Sequence, residues 1–238
     1  GLEEALAEGP LAGEPTEVSA QLFVTATKLV IPDSVNGRIV QIDDIASGAS
    51  WQEATAGEET IDLEVGPDAR IYYVQRDYNP QTFTSTSIIR AKADIGSAAQ
   101  TIFNNVEYFP DQIGIDHAND LIYVTESRSL YRVGLDGTTL KDYSSAIAST
   151  LDGSVGGENA GILAVTVADD GIVYVLFSDD SAGDTASVFE FDPSGDGAVV
   201  DSSVIFSETF SGVAYNEADI VAKGDTLFVL LQASEGET

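Results

Sequence analysis

Residues 112–144 read QIGIDHANDLIYVTESRSLYRVGLDGTTLKDYS, and the punctuation of this stretch decides the fold. Residues 113–116 are a short apolar run, broken by turn chemistry at His117, Ala118, Asn119 and Asp120. Residues 121–125 are β-branched and aromatic, as strands are. A polar turn follows at 127–129. Leu130-Tyr131-Arg132-Val133 then alternates apolar and polar like a half-buried strand. Leu135-Asp136-Gly137 turns into a fourth strand over 139–143. Four short antiparallel strands in 33 residues amount to one propeller blade.

The same pattern recurs on both sides. Second strands KLVI, IYYV, LIYV, IVYV and TLFV end at Ile31, Val74, Val124, Val175 and Val229, at intervals of 43, 50, 51 and 54 residues. A period of this size with four strands per repeat predicts an all-β chain, a β-propeller of four-stranded antiparallel blades. The blades are expected near 20–57, 58–106, 107–150, 158–206 and 212–238, the last stopping two strands short. A propeller closes to remove its sheet edges. Four and a half repeats therefore predict six or more blades, the remainder lying beyond residue 238 or missing from the chain. Tyr72, Tyr123, Tyr174 and Phe228 are expected at equivalent, mostly buried places. Asn36-Gly37 predicts a type I′ hairpin, which needs φ > 0 at both central residues. Helical periodicity is confined to 141–151. Residues 1–19 carry five Glu, two Pro and neither Lys nor Arg, which predicts a disordered acidic tether ahead of the propeller at 20–238.

GIDHANDLIYVTESRSLYRVGLDGT at 114–138 resembles a repeat of the NHL and YWTD class of β-propellers. KLVIPDSVNGRIVQIDD at 28–44 and DDGIVYVLFSDD with ASVFEFDPSGDG at 169–197 are similar. The pattern is an apolar strand ending in Asp, a Gly/Asn turn, an aromatic strand, then I-x-R, two hydrophobic residues and D-G. The YWTD tetrapeptide is replaced by IYVT at 122–125. The resemblance implies an architecture rather than an activity, because one fold hosts many functions.

Forty acids against ten bases give a formal net charge of -30. Such a surface repels nucleic acid and anionic lipid, so neither is an expected partner. No run of eighteen apolar residues predicts a transmembrane helix. Cysteine is absent, which removes thiol chemistry. His117, the single histidine, sits in a turn with no nucleophile beside it in the sequence and is not expected to act as a catalytic base.

Two sets of residues stand out as a site. In an up-and-down blade, second-to-third-strand turns and blade connections share one face. The long segments 75–86, 104–111, 151–161 and 178–186 fall there together, bringing Arg76, Tyr78, Phe83, Tyr108 and Phe109 among loops suited to recognition. Asp179, Asp180 and Asp184 cluster in SDDSAGD, hard oxygen ligands of the kind that suit Ca²⁺. Ordinary Asp-rich turn chemistry explains the same residues. The leading function is thus a non-enzymatic binding propeller, extracytoplasmic or surface-tethered, recognising a protein or glycan through its long-loop face. A metal-dependent gluconolactonase-like hydrolase is the alternative, with Glu64, Asp116 and Asn216 directed into the central channel from first strands. A structural subunit of a surface assembly is a third reading.

Overall fold

The computed structural model describes residues 29–33, 36–42, 51–55, 59–79, 81–82, 84–104, 110–154, 160–179, 185–193, 199–209 and 215–233. They fall into two compact units, Gly1–Thr101 and Ile102–Thr238.

In the first unit, β1 (Leu29–Asp33), β2 (Arg38–Ile42) and β3 (Trp51–Thr55) form an antiparallel sheet in chain order. The start of the expected first blade, residues 20–28, lies outside the described residues. β4 (Glu59–Val65), β5 (Ile71–Asn79), β6 (Thr84–Lys92) and β7 (Gln100–Phe103) make the second sheet, again in order. Leu63, Ile71 and Tyr73 pack with Val30 and Ile39 of the first sheet into one core cluster. Tyr73 therefore faces the preceding sheet, and strand alternation turns its buried neighbour Tyr72 the other way. Tyr72 closes over Gly66, where an added Cβ would lie 2.6 Å from its ring.

The second unit holds the third sheet, β8 (Gln112–Asp116), β9 (Leu121–Glu126), β10 (Ser129–Gly134) and β11 (Thr139–Asp142), strand for strand where the 112–144 repeat predicts them. The fourth sheet follows as β12 (Ala160–Val167), β13 (Val173–Asp179), β14 (Thr185–Asp192) and β15 (Val199–Thr209). β16 (Tyr215–Lys223) and β17 (Thr226–Ala233) form a two-stranded sheet. The helix expected within 141–151 is α1 (Ser144–Ser154), which buries Ile147 and starts where the Asp142 carboxylate accepts the Ser144 N–H at 2.8 Å.

Sheets stack face to face. Tyr123 of β9 packs on Val173, Val175 and Phe177 of β13. The opposite face of β13 carries Leu176 and Tyr174, against Ala218 and Ile220 of β16 and Leu227, Val229 and Leu231 of β17. The fourth sheet is thus apolar on both faces. Burying each such side chain is worth about 1.5–3 kcal/mol, which makes the stacking the main source of stability here.

Aspartates punctuate the turns. Asp116 Oδ1 accepts the N–H groups of Ala118 and Asn119 at 3.0 and 3.1 Å, while its Oδ2 accepts Asn119 Nδ2–H at 2.8 Å. Asp68, Asp94, Asp136 and Asp170 each accept a backbone N–H two residues on.

Three expectations are corrected. The 75–86 segment is not a long loop, because β5 runs to Asn79 and β6 begins at Thr84, paired Asn79↔Thr84. Its Tyr, Thr and Ser residues extend the ladder that Asn79-Pro80 seemed to break. The 36–37 turn is not a two-residue type I′ turn, because Asp33 pairs with Arg38; Gly37 has φ of +59°, and Asp33 accepts Asn36 N–H and Arg38 Nε–H. Finally, Tyr72 and Tyr123 are fully buried, but Tyr174 is half-buried and Phe228 is 60% exposed. Phe228 lies on the face of β17 turned away from the fourth sheet.

Candidate functional site

An open cleft of about 550 Å³ lies between the β12–β13 turn and the β16–β17 turn. The first turn is closed by Ala168 and Gly171, with Gly171 N–H donating to Ala168 O at 2.9 Å and Gly171 at φ +85°. It presents Asp169 and Asp170, both exposed. The second turn presents Gly224 and Asp225, also exposed, and Tyr174, Glu190 and Leu227 line the space between.

Tyr174 and Glu190 stand directly across the β13–β14 ladder from one another. The Tyr174 hydroxyl is pushed above its ordinary value by burial first, then by the negative charges of Glu190 and Asp170 and by its hydrogen bond to Glu190. None of the lining residues is basic. A cation would relieve that repulsion and meet the face of an aromatic ring.

The third sheet shows the contrast. There Tyr123 stands across the ladder from Arg132, which hydrogen-bonds its hydroxyl. Arg132 in turn lies over the Tyr143 ring at 5.7 Å, with Lys141 Nζ 5.0 Å from the same ring. In the second sheet Arg90 pairs with Tyr73 on the face turned to the preceding sheet, and Ala91 pairs with Tyr72 on the other face. Glu190 thus occupies the ladder place that Arg132 holds in the third sheet. Sequence reasoning passed over it, although VFEFD at 188–192 against LYRVG at 130–134 carried the signal.

Few of the residues expected to form a site lie among the described ones. Arg76 is half-buried on β5, a strand position rather than a loop. Tyr78 belongs to the same strand, its side chain outside the described residues. Phe83, Tyr108, Phe109, Asp180 and Asp184 lie outside the described residues altogether. Asp179 closes β13, at the end of that strand opposite the cleft, and its side chain too lies outside them. Among the described residues no group of three or more acids or histidines could hold a metal ion. His117 is exposed in the β8–β9 turn.

Of the three channel candidates, Glu64 and Asp116 are buried, at 4% and 3% exposure, and Asn216 is described only as backbone in β16. Both oxygens of Asp116 are engaged by its own turn, a structural role. Two buried carboxylates escaped the sequence reading. Asp62 and Asp219 each accept the N–H of the following residue at 2.8 Å, Asp62 bordering the register shift in β4.

The repeated sheets, each a meander joined in chain order, define a β-propeller-type fold. No family model matches the chain, and no curated protein matches it. Among solved structures it is similar to a chain in a nidogen/laminin complex, with a TM-score of 0.56 and 14% identity, covering 81% of this chain and 64% of that one. Hydrazine synthase from Kuenenia stuttgartiensis is similar at a TM-score of 0.48 and 14% identity, over 81% of this chain and 49% of that chain. Regucalcin from Agrobacterium tumefaciens, a calcium-binding protein, follows at 0.44 and 11%, over 86% and 77%. The nidogen-complex likeness is one of fold, and this chain spans less than two thirds of that chain. No helix among the described residues is long and apolar enough to cross a membrane.

Proposed function

We propose that this chain is a non-catalytic binding propeller built of NHL/YWTD-like repeats, displayed outside the cytoplasm, that recognises a protein partner through a basic side chain held in the Tyr174–Glu190 cleft. One observation carries the reading: an acid stands at the ladder place that Arg132 holds in the third sheet, and it opens onto a carboxylate-lined cleft. The cleft has room for a guanidinium, and its carboxylates suit an organic cation better than a metal ion. Calorimetric titration with an arginine-rich peptide is the test. Binding should weaken with salt and fall at least about tenfold in Glu190→Arg, which installs the residue of the third sheet. Equal affinity in the two proteins would remove the cleft from the account.

The face of the blade connections is a second recognition surface in this proposal, for a protein or glycan, with Arg76 and Tyr78 at the end of β5 and Phe83, Tyr108 and Phe109 as its contacts. Asp179, Asp180 and Asp184 would hold Ca²⁺ weakly there, with Kd on the order of 10⁻⁴ to 10⁻³ M. Calcium should then raise the melting temperature of the wild type and not of Asp179→Asn/Asp184→Asn. Turnover of lactones or esters in the presence of divalent metals would favour the hydrolase instead.

A further inference from the structure

We propose that the third sheet holds a chloride site between Arg132, Tyr123 and Tyr143, on its face turned to the fourth sheet. The inference does not depend on the Tyr174–Glu190 cleft. Arg132 of β10 pairs with Tyr123 of β9 on one side and with Lys141 of β11 on the other, so the three share one face. Tyr143, just past β11, joins Tyr123 in the core cluster shared with the fourth sheet. The Arg132 guanidinium lies 5.7 Å from the centre of the Tyr143 ring, and Lys141 Nζ 5.0 Å from it. In a chain of forty acids and ten bases, two bases meet at this one ring.

The cluster has donors and, among the described residues, no acceptor for them. Arg132 Nε–H and the Tyr143 hydroxyl are buried without a hydrogen-bond partner, and Tyr143 is only 2% exposed. Arg132 donates to the Tyr123 oxygen, which leaves the Tyr123 hydroxyl proton as a further donor. The acids nearby are engaged elsewhere. Asp116, whose charge reaches Tyr123, gives both oxygens to its own turn, and Asp142 accepts from Ser144 at the start of α1. The facing sheet presents Val173, Val175, Phe177, Phe189 and Phe191, which accept nothing. Buried donors without acceptors are costly. A water would take some of these protons but leave the half-buried guanidinium without a counter-charge. An anion answers both needs.

Packing selects its size. Phe191 stands edge-on to Tyr143, with ring centroids 4.8 Å apart, inside the same core cluster. So close-packed a place suits a single atom rather than a phosphate or sulfate. The formal net charge of -30 repels anions at a distance, so the site should fill as added salt screens that field, at about 0.1 M and above.

The test is chlorine NMR on the full chain, joined to thermal unfolding in sodium chloride and in sodium gluconate at equal ionic strength. Gluconate screens equally and is too large to enter. The wild type should broaden the chloride resonance and should melt at a higher temperature in chloride than in gluconate. Tyr143→Phe keeps the ring and removes one donor, and should cut chloride affinity at least about tenfold. Arg132→Gln, at a half-buried position, gives the same readout if Tyr143→Phe does not fold. Equal melting temperatures in the two salts would overturn the proposal, as would broadening that the variants share with the wild type. Anomalous scattering from crystals grown in bromide places the ion directly. A peak between Arg132 and Tyr143 is the expected result, and a water in that place would overturn it.

Discussion

Glu190 faces Tyr174 across the β13–β14 ladder at the register that Arg132 holds against Tyr123 in the preceding sheet. The exchange reverses the charge beside an equivalent tyrosine. Removing it in Glu190→Gln should lower the Tyr174 pKa, because the charge of Glu190 and its hydrogen bond both raise it behind the larger effect of burial. Ultraviolet titration of phenolate formation, with Tyr174→Phe as the blank, reads this directly. An unchanged Tyr174 titration would mean that Glu190 does not act on it.

The stacked sheets also rank their aromatic residues. Tyr123, with no exposed surface, should cost about 3–5 kcal/mol when cut to Ala. Phe228, exposed at the equivalent strand position, should cost no more than about 0.5 kcal/mol. Urea unfolding of the two variants measures both. Similar losses would mean that Phe228 is covered in solution.

Stability should fall at both ends of the pH scale. Burial, against the pull of Arg132, pushes the Tyr123 hydroxyl from 10.0 up to about 12. Between those values the unfolded chain has released a proton that the folded chain keeps. Its contribution is therefore complete below pH 10 and lost as pH rises through about 12. Tyr123→Phe should flatten that limb. Asp68 works in the opposite sense. Burial opposes its ionised form, but hydrogen bonds from Arg70 and Tyr72 outweigh this and hold its pKa below 3.8. Its contribution is present above that pH and lost as pH falls through the depressed value, so Asp68→Asn should blunt acid unfolding. Stability curves that do not respond to either substitution would contradict these assignments.

Salt should stabilise the protein. A formal net charge of -30 repels itself in the compact state, and added ions screen exposed charges within a Debye length of about 10 Å at 0.1 M. The melting temperature should climb between low and moderate NaCl. A flat profile would mean that the acids are neutralised locally.

The strands were legible because turn residues and apolar alternation repeat together, as 112–144 shows best. What alternation cannot say is which sheet lies over a given face, and so Phe228 reads like Tyr123 while standing bare. Residues 75–79 were misread because Asn79-Pro80 is a strong local breaker, whereas the β5–β6 ladder is a nonlocal gain that outweighs it. The cleft was harder still. Its walls come from residues 168–170 and 224–227, more than fifty positions apart, and only Glu190 in the ladder place of Arg132 marked it.

The two-stranded β16–β17 sheet has one further consequence. Among the described residues it packs against a neighbour on one face and has fewer contacts to lose than the fourth sheet, which is covered on both. Amide hydrogen exchange should therefore be graded through this unit, slowest around Val175 and fastest along Thr226–Ala233. This sheet would open and reclose as a cooperative piece while the fourth sheet stays folded, a reversible partial unfolding below the global free energy.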